Sequence, residues 1–136
     1  MKLHSAAAAM LLLAGPAKAD LLYGFQSPTG NIHCLAYEGA DGGEIRCDLL
    51  KLAPSYTKRP ADCDLDWGHA FAVGTTGKAY LACVGDTVAD PNNEVLPYGE
   101  ALSFGGISCV SAKTGMTCTN AAGRGFSVSK AAQRLF

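Results

Sequence analysis

Between Ile32 and Leu49 apolar and polar residues alternate. Ile32, Cys34 and Ala36 are apolar at every second position, and Ile45, Cys47 and Leu49 repeat the pattern after Gly39-Ala40-Asp41-Gly42. Period-two alternation predicts half-buried strands, and Gly and Asp supply the conformations of a tight turn between them. In the register that sets Cys34 opposite Cys47, all six apolar residues share one face. His33, Leu35, Tyr37, Arg46 and Asp48 share the other. A slip of one residue would invert the faces. Opposed Cα atoms in an antiparallel ladder lie about 4.5 or 5.5 Å apart, inside the span of about 4.4–6.8 Å that a disulfide bridges. The core and a Cys34–Cys47 bridge therefore require the same pairing. The outward set is expected to be exposed, with His33 opposite Asp48 and Arg46 beside them.

The phrase Gly-x-Ile-x-Cys at Gly30–Cys34 returns at Gly105–Cys109. A turn at Ala112-Lys113-Thr114-Gly115 sets Cys109 opposite Cys118 and places Ile107, Cys109, Met116 and Cys118 on one face. Internal duplication and convergence on one hairpin recipe both account for the repeat. A third hairpin is expected from residues 68–73 and 78–84 around Gly74-Thr75-Thr76-Gly77, with Cys63 before it and Cys83 near its end. Six cysteines allow 15 pairings; the hairpins select Cys34–Cys47, Cys63–Cys83 and Cys109–Cys118. Residues 52–64, with Pro54 and Pro60, read as a loop. Residues 85–102 are turn-rich and acidic, and long connectors of this kind are commonly functional. The tail reads as a strand at 125–128 and then a helical turn capped by Ser129. The expected fold is mainly β: a small antiparallel sandwich or partly open barrel of hairpins, stapled by three disulfides.

The first 19 residues do not belong to this pattern. Lys2, an apolar run over 6–14 and Ala17-Lys18-Ala19 have the form of a secretory signal peptide. The run falls short of the roughly 20 residues that span a bilayer. Residues 20–136 are then a single exported domain, in the periplasm or outside the cell, with no membrane span. All six cysteines lie there, none within C-x2–4-C spacing, so disulfides are expected in place of a metal site. Losing Lys2 and Lys18 leaves nine of the 11 basic residues against 12 acidic ones, a net charge of −3. With no long basic run, nucleic acid has no electrostatic footing.

The stretches FQSPTGNIHC, IRCDL, DWGHAFAV, CVGDT, LPYGEAL and SCVSAKTGMTCTNAAGRGFSVS, with the closing LF, resemble a family of exported bacterial proteins, domain-of-unknown-function family 6636. The resemblance spans residues 25–136 and includes all six cysteines. It implies export and a disulfide-linked β-rich fold, and brings no activity and no catalytic residues with it.

Candidate chemistry is sparse. His33, Arg46 and Asp48 could serve acid–base work or anion binding; a cross-strand surface pair is the plainer account. His69 follows Asp66-Trp67-Gly68, and a histidine beside a buried tryptophan could be catalytic, though a solvated strand residue is more usual. Asp62, Asp64 and Asp66 alternate as in a calcium loop, but Gly68 comes one position late and Val73 stands where the bidentate glutamate belongs. There is no G-x-S-x-G and no unpaired cysteine for a nucleophile. No cofactor is implied.

These observations favour a non-enzymatic binding or structural module for an unidentified protein or envelope ligand. Its site is expected in the loop carrying Asp86, Tyr98 and Glu100, with His33, Arg46 and Asp48 as a second surface. A small secreted hydrolase using His33 or His69 with a carboxylate is the rival reading. An inhibitor or effector presenting the 85–102 loop is the third.

Overall fold

The computed structural model describes residues 9–10, 21–40 and 42–136. The segment read as a signal peptide lies outside the described residues apart from Ala9 and Met10. Among the described residues eleven strands form two sheets. The first contains β1 (Leu21–Gln26), β2 (Ile32–Gly39), β3 (Gly42–Leu49), β4 (Ala70–Gly74), β5 (Tyr80–Leu81) and β6 (Glu94–Val95). The second contains β7 (Ala101–Phe104), β8 (Ile107–Ala112), β9 (Gly115–Asn120), β10 (Gly125–Val128) and β11 (Gln133–Leu135). Each sheet is a meander of sequential neighbours, except that β6 adds to the outer edge of β1, in parallel. The fold is a mainly β sandwich with neither sheet closed into a barrel.

The doubled phrase forms two hairpins in the expected registers. Cys34 pairs with Cys47 and Ile32 with Leu49; Cys109 pairs with Cys118 and Ser111 with Met116. The inward set from both sheets builds one core: Ile32, Cys34, Ile45, Cys47, Phe71 and Val73 meet Ile107, Cys109, Met116, Cys118, Phe126 and Val128. Phe71 and Phe126 touch across the gap with centroids 6.3 Å apart. All three expected disulfides are present. The two hairpin bridges lie inside the core, whereas Cys83 reaches the surface.

The tail departs from expectation. Ser129 does act as a cap, donating to and accepting from Ala132, but the turn it closes is a β-turn leading into β11. Burying Gln133, which bonds Ala53 and Ser55, and packing Leu135 on the core require an extended chain. Strand β1 and the four residues of β7 also form where no strand was expected.

The two ends of the sandwich differ. At one end Thr75 Oγ1 binds Gly43 and donates to Gly105 O at 2.7 Å, and Asn120 Nδ2 donates to Gly74 O and Gly77 O. These bonds tie the turns of both sheets together. Gly43 permits the approach, since a Cβ there would lie 3.2 Å from Gly105 O. At the other end the turns after β1, β8 and β10 and the chain leaving β3 stand apart around a cleft.

Candidate functional site

Four of the six expected site residues do converge: His33, Arg46 and Asp48 lie on one face of the first sheet, beneath a strap that starts at the exposed Asp86. Residues 86–96 cross the outer face of the first sheet as a strap. One ladder row runs through Gln26, His33, Asp48 and Ala70, across β1 to β4, and the strap follows it. Asp86 Oδ1 accepts from Arg46 Nη1 at 2.9 Å, Val88 N donates to Asp48 Oδ2 at 3.1 Å, and Asp90 N donates to His33 Nδ1 at 3.3 Å. Gln26 Nε2 donates to Pro91 O at 3.2 Å and Asn93 O at 2.7 Å, after which the strap becomes β6. Strap peptide groups without ladder partners thus find them in the side chains of the row.

The outer face expected to be exposed is therefore buried: His33 is 4 % and Asp48 1 % exposed. Arg46 holds Asp48 through Nε and Nη2, both at 2.8 Å. Burial alone would lower the Arg46 pKa; the hydrogen bonds to Asp48 and Asp86 outweigh it and the net shift is upward. The bond from Arg46 holds the exposed Asp86 carboxyl below the ordinary carboxylate range. His33 Nε2 lies 3.0 Å from Gly30 O while Nδ1 accepts from Asp90, so the hydrogen-bond network assigns its proton to Nε2. Both ring nitrogens are engaged, which makes this group a fastening for the strap.

The second histidine does not join it. Asp48 pairs with Ala70, so His33 and Ala70 share a face, and His69, one residue earlier, falls on the other. His69 lines a recess with Tyr56 and Trp67. Trp67, expected to be buried, is half-exposed there. Among the described residues no group of three or more His, Cys, Asp or Glu could hold a metal ion; Asp62, Asp64 and Asp66 are all exposed. Among the same residues no helix is long and apolar enough to cross a membrane.

Tyr98 is separated from Asp86 and stands at the open end. It lines a cleft of about 750 Å³ with the turns at 27–31, 112–115 and 129–131 and the chain leaving β3. Lys51, Lys113 and Lys130 line it with Ser27, Thr29, Asn31, Thr114 and Ser129, and no acidic residue does. The lysine backbones are well placed. Asn31 exchanges two 2.9 Å bonds with the peptide groups of Lys51, and Ala53 N donates to Lys130 O at 2.7 Å. Gly115 shapes the third wall. Its φ of 131° and a Cβ position 2.2 Å from Val128 O leave room for glycine alone. Glu100 is exposed beyond the cleft, where its peptide pairs with Ser111 N at 3.0 Å.

The sequence offered no direct sign of this cleft, because its lysines come from two separate turns and the chain leaving β3. Three lysines and no acidic residue lining one cleft, on a chain of net charge −1, give it a local positive charge. Chemically such a site favours an anion over a cation.

Residues 6–136 match a family of unknown function, DUF6636, and the chain belongs to it. No curated protein and no solved structure matches the chain.

Proposed function

We propose that the protein is an exported binding module that captures an anionic ligand in the cleft at the open end of its sandwich. The observation that carries this reading is the lining: Lys51, Lys113 and Lys130 line one cleft with Tyr98, and no acidic residue joins them. Export is supported by the signal-like start and by three disulfides, which persist in oxidising compartments such as the periplasm or the extracellular space. A stapled scaffold that holds turns apart is a suitable mount for a recognition site.

The test is an NMR titration of the exported chain with tripolyphosphate and trigalacturonate, which separate phosphate from carboxylate recognition. Amide shifts should concentrate at Lys51, Tyr98, Lys113 and Lys130 and weaken on moving from about 0.01 M to about 0.15 M salt, as the Debye length shrinks from about 30 to about 8 Å. The triple substitution Lys51→Gln, Lys113→Gln and Lys130→Gln should abolish them. Equal binding by that variant, or shifts confined to the strap, would refute the assignment.

A further inference from the structure

We infer that the lysine cleft is one part of a longer groove, and that its ligand is a linear acidic oligosaccharide whose far end rests on Trp67. The inference builds on the cleft as the binding site. A recess of about 390 Å³, lined by Leu52, Pro54, Tyr56, Trp67 and His69, opens beside the start of β4. A third hollow shares Leu52 with this recess and Lys51, Lys130 and Ala131 with the cleft. The shared residues place the three hollows side by side, from Tyr98 and Lys113, past Lys51 and Lys130, to Trp67. A lone anion would occupy only the cationic part.

The recess brings aromatic side chains and unspent polar atoms together. Trp67 and His69 are half-buried, and among the described residues the indole N–H and the imidazole nitrogens form no hydrogen bond. Tyr56 is already fixed, its hydroxyl accepting from Leu135 N at 2.7 Å. An apolar ring face beside unspent donors matches a sugar ring, which offers C–H groups on one side and hydroxyls at its rim. Carboxylates along the same chain meet the lysines. A peptide is the poorer fit. The recess and the connecting hollow are lined by loop and turn residues, so neither presents a strand edge for backbone pairing.

Trp67 is the chain's one tryptophan, so its emission reads the recess directly. The experiment titrates the exported chain with oligogalacturonates of increasing length, following Trp67 fluorescence and cleft amide shifts together. Short acids should shift the cleft and leave the emission unchanged. Longer ones should change the emission and bind about tenfold tighter. Trp67→Ala should lose that gain yet bind short acids as before, which also shows that the variant is folded. Cleft shifts with no dependence on length and no change in emission would overturn the groove and leave the cleft as the site. Neutral cello-oligosaccharides binding as tightly as the acidic chains would overturn the acidic assignment. Polyglutamate binding more tightly and altering the emission would overturn the saccharide assignment. Absence of cleft shifts with every probe would remove the binding site itself.

Discussion

Replacing Asp48 by alanine should loosen the strap and cost about 3 kcal/mol of stability. The carboxylate is 1 % exposed and accepts from Arg46 Nε and Nη2 at 2.8 Å and from Val88 N at 3.1 Å. Its loss leaves the Val88 N–H without an acceptor beneath the strap. It also leaves the Arg46 guanidinium, whose side chain is 15 % exposed, with half its contacts gone. Breaking a buried pair from one side costs about 3–5 kcal/mol. The lower end applies because Arg46 keeps Asp86. Substituting both partners, Arg46→Met with Asp48→Leu, removes the stranded charge. It leaves mainly the orphaned Val88 donor, worth about 1–3 kcal/mol. The double variant should therefore be more stable than Asp48→Ala alone. Urea unfolding measures the free energies, and a thermal scan should show the single variant lowered by about 10 °C. Hydrogen exchange at the Val88 and Asp90 amides should accelerate before that of the core strands. A cost below about 1 kcal/mol for the single variant, or a double variant no more stable than the single, would refute the reasoning.

Two further outcomes concern the Asp86 tether and the disulfides. Because Arg46 depresses the Asp86 pKa, the tether contributes above the unfolded carboxyl value of about 3.9 and is lost as pH falls through the lower folded value. Exchange protection of Val88 in wild type should thus exceed that in Asp86→Asn at about pH 6 and converge with it towards about pH 2; a difference that grows on acidification would contradict this. Under graded dithiothreitol, Cys63–Cys83 should open first, since Cys83 reaches the surface while the cysteines of both hairpin bridges are fully buried. Alkylation and mass mapping give the order, with about 3 kcal/mol lost at that step; earlier opening of Cys34–Cys47 would contradict it.

Alternation reveals which residues share a face, not what covers that face. Ile32, Cys34, Ile45 and Cys47 declared an inward side, and the bridge and the core demanded one register, so the hairpins were legible. His33, Arg46 and Asp48 declared the opposite side, which read as solvent-facing because polar residues usually are. The strap that covers them has little apolar periodicity. It is held by its own peptide groups meeting side chains of the row, and a sequence displays no pattern for such bonds. The same physics hid β6, whose two residues exist as a strand only because Gln26 and Leu96 hold them against β1. The cleft was hidden differently. Lys113 and Lys130 each sit in a hairpin turn and Lys51 just beyond β3. Within one sheet the meander fixes which turns share an end. How one sheet's ends align with the other's depends on contacts such as Thr75 with Gly105, between residues far apart in sequence. Those contacts close one end of the sandwich, and because the hairpins run end to end, they leave the lysine-bearing turns together at the other.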